Sequence, residues 1–205
     1  MKIIGLSGGI ASGKNSVAKI FEELGGVIFD EDQLVHNLFL NDPIVINQIA
    51  IQFPQSLQDK AINRKILSEI ITQNPQKITI IENILHPIVR NKYQQFIIKN
   101  NQEKQKLVVL NIPLLLENSF YKADKIIAII ADEDLRRKRY IQRCLADNDN
   151  IDKIKIKQIE EKFFILKNKQ ISDEQRIKKA DFVVYNNSDL MVLKEQVIEI
   201  FKQLF

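Results

Sequence analysis

GGIASGKNS, residues 8–16, follows the short β-prone run Lys2–Leu6 and opens a stretch with helical periodicity. Its first seven residues match the pattern GxxxxGK. Glycines at positions 8, 9 and 13 let the backbone turn so that several N–H groups point inward. The helix that follows adds the positive end of its dipole at the same point. Such a loop holds phosphate. Gly8, Gly9, Ala11, Ser12, Gly13, Lys14, Asn15 and Ser16 are therefore candidate nucleotide contacts, with Lys14 reaching the terminal phosphates. The competing reading is a glycine-rich turn without a ligand, and it leaves the lysine in register unexplained. The next position is usually Ser or Thr, whose hydroxyl binds Mg²⁺. Here it is Asn15, whose amide oxygen is a candidate metal ligand. Alternatively Mg²⁺ is held by water and carboxylates, as its hydration chemistry permits.

Working outward, the spacing predicts a helix over 13–24, because Val17, Ile20, Phe21 and Leu24 fall on one face. Gly25-Gly26 ends it, and Val27-Ile28-Phe29 is a second strand. A strand, loop, helix and strand within about 30 residues fit a right-handed parallel crossover. Apolar strands are expected again at 106–112, 125–131 and 181–186. Near-continuous apolar strands separated by helices indicate a doubly wound parallel five-stranded sheet with helices on both faces, an α/β fold.

Two long stretches interrupt this core. Residues 33–106 read as mostly helical, broken at Pro43, Pro54, Pro75 and Pro87. Residues 132–179 are polar and charge-dense, with Arg136, Arg137, Arg139, Arg143 and Arg176. Within them, Ile154 and Ile156 alternate like a strand, whereas Ile159, Phe163 and Leu166 continue like a helix. Ser188 is the expected N-cap of the final helix. The core is thus 1–32, 107–131 and 180–205, with insertions at 33–106 and 132–179.

Asp30 and Asp32 follow the second strand, at the edge that faces the phosphate loop in an open parallel sheet. A carboxylate there can orient an acceptor hydroxyl and take its proton, or hold water on Mg²⁺. The bland alternative is a solvated turn or an N-cap for the next helix.

Composition narrows the classes. The 205-residue chain is 45% apolar and 27% charged, the balance of a globular protein. Its single cysteine, Cys144, excludes an internal disulfide framework, and with two histidines a structural metal module is not expected. The net charge is +4. The basic stretch lacks the aromatic interleaving of a nucleic-acid surface, and no apolar run is long enough for a membrane span. A cytoplasmic protein, monomeric or weakly homo-oligomeric, with no nucleic-acid or membrane partner, is expected. Asn168-Lys169-Gln170-Ile171 lacks the acid of a guanine-binding motif, which disfavours a regulatory GTPase.

The chain resembles the dephospho-coenzyme A kinases over nearly its whole length. The resemblance is carried by IIGLSGGIASGK (3–14), FDEDQLVH (29–36), ENILHPIVR (82–90), IPLLLE (112–117) and ADFVVYNNS (180–188). It implies ATP-dependent phosphorylation of the ribose 3′-hydroxyl of dephospho-CoA, with ATP and Mg²⁺ as cofactors. It also implies a P-loop core, a helical acceptor-binding insertion and a mobile lid. Asp32 would be the base, and Arg143 falls near the family's lid arginine. Ser7 would line the site, with Asp32, His86, Arg90, Leu115 and Glu117 on the acceptor side. Asn15 and Asp30 would be the metal-side residues. His86 is equally readable as a helix residue packed before Pro87, and Glu117 as a cap of a local turn. The chain departs from the family at Ala11, where a glycine is usual, at Asn15, and at Asn111, where an acid commonly ends the third strand. The alternatives are another small-molecule kinase and a nucleotide-binding protein with little transferase activity.

Overall fold

The computed structural model describes residues 1–146 and 153–205. They divide into two units, 1–29 with 104–205, and 30–103.

The first unit is built on a five-stranded sheet. Its strands are β1 (Lys2–Gly8), β2 (Val27–Asp30, whose last residue opens the second unit), β5 (Leu107–Asn111), β6 (Lys125–Ile130) and β7 (Phe182–Tyr185), in the order β2-β5-β1-β6-β7. β1 runs parallel to β5 and to β6, and β6 runs parallel to β7. Alternation along β1 assigns its two faces. Ile4 and Leu6 are fully buried in a cluster with Val17 and Phe21 of α1 (Lys14–Glu23) and Val197 of α9 (Leu190–Leu204). Gly5 and Ser7 face the other way, where Gly5 lies under Leu115 and Ser7 meets Arg176 of α8 (Asp173–Lys179). Burying a side chain such as Phe21 contributes about 2–3 kcal/mol, so one such cluster fixes the sheet order and the helix covering it.

Helix α1 ends at Leu24 because Gly25 takes φ 88, the left-handed conformation that stops a helix. The final helix starts one residue later than expected. Asp189, not Ser188, caps α9, accepting from the N–H groups of Met191 and Val192. An aspartate satisfies the same orphan donors and adds charge at the positive dipole end. The ambiguous Ile154–Leu166 segment is helix, within α7 (Lys153–Asn168). Phe163 is fully buried and packs against Tyr140 of α6 (Glu133–Leu145), with ring centroids 5.8 Å apart. That contact selects the 3.6-residue period over the two-residue one.

The second unit is helical: α2 (Glu31–Asn41), α3 (Pro43–Gln52), α4 (Arg64–Gln73) and α5 (Ile78–Gln102). Asp30, Asp42 and Asn63 cap the first three. A two-residue hairpin, β3 (Leu57–Gln58) and β4 (Ala61–Ile62), turns through Asp59 and Lys60, both at positive φ. Phe39, Val45, Ile49, Phe53, Leu67 and Val89 are among the core of this unit. Pro43, Pro54 and Pro75 begin helical turns, as breakers do, but Pro87 does not break α5. Proline lacks the N–H that would bond the carbonyl of Asn83. Asn83 and Pro87 are both exposed, so water can satisfy that carbonyl, while Ile81, Leu85, Val89 and Tyr93 anchor the helix on its buried side. No helix among the described residues is long and apolar enough to cross a membrane.

Candidate active site

The phosphate loop leaves β1 at Gly8, where the register sets Gly8 beside Ile129 and Leu6 beside Asn111. Ser12 N–H donates to the Gly9 carbonyl at 3.0 Å, closing the turn. Gly13 caps α1 at φ 102, a conformation only glycine takes without strain, and a Cβ there would collide with the Asn186 amide. Ala11 also lies at positive φ, 57, a strain of about 1–2 kcal/mol that a glycine would not carry. The substitution that looks minor in sequence is therefore held in place by the rest of the loop. Lys14 Nζ donates to the Gly8 carbonyl at 3.1 Å, so its ammonium folds back across the loop.

The stretch after β6 supplies the surroundings. Gln170 Oε1 accepts from Ile10 N–H at 2.8 Å, and Asn186 Nδ2 donates to the Ser12 carbonyl at 2.8 Å. Arg139 Nη1 donates to the Asn186 carbonyl at 3.0 Å. Arg136, 5% exposed, lies so close to the loop that a Cβ on Gly9 would strike its Nη1. Arg176, 2% exposed, donates through Nη1 to Ser7 Oγ and through Nη2 to the Ile171 carbonyl at 3.3 Å. Asp173 stands 3.5 Å from Arg136 Nη2 and 3.7 Å from Arg176 Nε. Burial pulls the Arg176 guanidinium below its ordinary range, and the carboxylates of Glu117 and Asp173 act against that shift. Arg176 stays charged nonetheless, since arginine does not give up its proton in proteins.

Two buried cations stand beside the loop, faced by the carboxylates of Asp173 and Glu117. Arg136 Nε, Arg176 Nε and Ser12 Oγ are also buried without a hydrogen-bond partner. A buried donor left unpaired costs about 1–3 kcal/mol, and three around one loop describe a site for an anion rich in oxygen acceptors.

The remaining sequence-derived residues fall in several places. Ser7 and Leu115 are buried at the sheet, and Leu115 opens a 3₁₀ turn (Leu115–Glu117). Glu117 is exposed and accepts from Ile171 N–H at 3.2 Å, so it ties that turn to the segment before α8. Ser16 is exposed in the first turn of α1. Arg143 is exposed and lies 5.4 Å over the Tyr140 ring. It sits on the same helix as Arg136 but seven residues on, about 10 Å along the axis. In the second unit, Asp30 accepts from Gln33 N–H at 2.8 Å as a cap, and Asp32 is exposed in the first turn of α2. His86 and Arg90 are exposed, one turn apart on α5.

Arg136, Arg176, Gln170 and Asn186 are the residues that motif reading missed. A signal existed for two of them. Arg136 lies four residues before Tyr140, on the inward stripe of α6, and Asn186 follows an apolar strand whose C-terminal end belongs to the loop's rim. Nothing local marks Arg176 or Gln170.

A glycine-rich phosphate loop between the first parallel strand and an amphipathic helix, ringed by buried arginines, defines a P-loop kinase. Solved structures agree on the fold. A Thermus thermophilus protein, TT1252, aligns at TM-score 0.72 with 22% identity, over 100% of this chain and 98% of that one. The dephospho-CoA kinase of Campylobacter jejuni aligns at 0.68 with 24% identity, with the same two coverages. A shikimate kinase from Acinetobacter baumannii follows at 0.52 and 13%, over 100% of this chain and 93% of that one. The dephospho-CoA kinase family model matches residues 2–191. A curated dephospho-CoA kinase of Bartonella henselae is 35% identical over 100% of this chain and 98% of its own length. One from Fusobacterium nucleatum is 37% identical over 95% of this chain and 94% of its own. The chain belongs to the dephospho-CoA kinase family.

Proposed function

We propose that this chain transfers the γ-phosphoryl group of ATP to the ribose 3′-hydroxyl of dephospho-CoA, giving coenzyme A and ADP, the last step of coenzyme A synthesis in the cytoplasm. The observation that carries this reading is the phosphate loop with two buried guanidiniums and three buried polar atoms without a hydrogen-bond partner around it.

The loop amides and the N-terminus of α1 bind the β- and γ-phosphates, and Lys14 swings from Gly8 to the terminal oxygens. Asp32 orients the acceptor hydroxyl and takes its proton. The acceptor oxygen bonds to the γ-phosphorus as the bond to the β–γ bridging oxygen breaks, and the electron pair leaves with ADP. Charge spread over the transferring group is met by Lys14, by Arg136 beside the loop, and by Arg143 when the lid stretch 132–179 engages. His86 and Arg90 contact the acceptor, with Ser7, Leu115 and Glu117 shaping the acceptor side. The insertion 33–106 thereby acts as the acceptor-binding domain.

Mg²⁺ is expected with ATP, where it would neutralise phosphate charge. The residues read as its ligands do not form a cage for it. Asn15 Oδ1 accepts from Asn111 Nδ2, Asp30 is engaged as a helix cap, and no group of three or more His, Cys, Asp or Glu among the described residues could hold a metal. No step here is routed through the metal.

The decisive assay presents purified protein and Mg-ATP with dephospho-CoA, nucleosides and nucleoside monophosphates, reading ADP release. Release with dephospho-CoA alone supports the proposal. Release with a nucleoside instead refutes it, and tight ATP binding without turnover on any acceptor would make the chain a non-catalytic binder.

A further inference from the structure

The two amides that depart from the family pattern touch each other. Asn111 Nδ2 donates to Asn15 Oδ1 at 2.9 Å, across 96 positions of chain. Asn111 ends β5 and is 4% exposed, whereas Asn15 is exposed in the first turn of α1. A buried amide needs partners, and Asn15 supplies one of them.

The direction of this bond matters. A hydroxyl at 15 and a carboxylate at 111 can pair only with the hydroxyl donating, because an ionised carboxylate only accepts. Here position 111 donates and position 15 accepts, and neither carries charge. Changing one member alone weakens the pair, through reach at 15 or through buried charge at 111. A serine at 15 has a shorter arm than asparagine and withdraws the acceptor from Asn111. An aspartate at 111 can accept from the exposed Asn15 amide once that amide turns over, but it buries a charge at the end of β5 that Asn15 does not neutralise. The pair this chain carries is neutral, and its two members depend on each other for reach and charge.

We propose that Asn15 and Asn111 form a single positioning unit, an amide clasp that fastens the first turn of α1 to the end of β5 without charge. The clasp pre-sets the phosphate loop with no divalent cation present, and the protein itself gives a cation little to bind until nucleotide arrives. The metal consequence rests on the phosphate-transfer reading, but the clasp is measured without nucleotide, so either can fail alone.

The test uses the full chain, Asn15→Ser, Asn111→Asp and the double variant. Thermal unfolding in EDTA should show each single variant melting about 2–4 °C lower, from a lost hydrogen bond in Asn15→Ser and from a buried charge in Asn111→Asp. The double variant should lose less than the sum of the two single losses, because both changes disturb the same contact. Titration of Mn²⁺ alone, followed by electron paramagnetic resonance, should show weak binding to the parent and about tenfold or more tighter binding to the double variant, which regains a buried anion. The KM for ATP should rise in Asn15→Ser and rise little further in the double variant, with kcat changing less. Additive melting losses would overturn the clasp, and so would parent Mn²⁺ affinity equal to that of the double variant. If the double variant does not fold, Asn15→Ala, Asn111→Leu and their combination replace it. A combined loss smaller than the sum of the two single losses supports the clasp, and a combined loss equal to that sum overturns it.

Discussion

Around residues 8–16 many of the polar side chains are buried. Ser7, Ser12, Asn111, Arg136, Arg176 and Asn186 are each no more than 6% exposed, and most hold backbone or one another. In the unit 30–103 the residues expected to act on a ligand, Asp32, His86 and Arg90, all lie exposed on helix surfaces over an apolar core. Phosphate is the same in every nucleotide, so a rigid cradle made largely of backbone and locked guanidiniums suits it. An acceptor must be distinguished from its relatives. On the proposed reading that discrimination falls to surface side chains, which can differ without disturbing the packing beneath them.

If the cradle is the rigid partner, its substitutions should cost most. Lys14→Ala should lower kcat by about 10³-fold or more, measured as ADP release, and near-normal turnover would remove the loop from the chemistry. Asp32→Asn should lower kcat by about 10²-fold with little change in the KM for either substrate. A small effect would move the base elsewhere and weaken the functional part assigned to the second unit. Arg136→Ala should weaken ATP binding by about tenfold to a hundredfold in calorimetry, the loss of a charge-assisted contact. Arg143→Ala, at an exposed position two turns on, should leave ATP binding near normal and act on kcat. The reverse result would exchange the two arginines' roles. Arg90→Ala should raise the KM for dephospho-CoA by about fivefold and leave that for ATP unchanged, as suits an exposed charge contact.

The smallest effect belongs to the outer stretch. The Glu133 carboxyl is held below its ordinary range chiefly by a hydrogen bond from Lys167, which links α6 to α7. A depressed carboxyl adds stability above its unfolded-state value and loses it as pH falls through the lowered folded-state value. Glu133→Gln should therefore melt about 1 °C below the parent at neutral pH, as befits an exposed pair, and the gap should close in acid.

The contrast also explains what could be read in advance. The strands at 2–8, 107–111, 125–130 and 182–185 are dense apolar runs bounded by polar or glycine residues, so periodicity finds them to within two residues. The phosphate loop is legible because its chemistry is local: glycines, a lysine and a helix start within nine residues. Pro87 misleads, because a proline's cost inside a helix depends on whether water can reach the carbonyl it strands. Ser188 misleads because two adjacent residues can both cap, and only the backbone path chooses between them.

The chain's pattern alone established the parallel α/β core, the phosphate loop and the family resemblance. These depend on residue type at short spacing, and such signals survive without coordinates. Folding decided which arginines reach the loop, that Gln170 and Asn186 brace it, and that Asn15 faces Asn111. Those pairings join residues 96 to 174 positions apart. Parallel register and the turn of a helix set their distances, and no local propensity encodes either one.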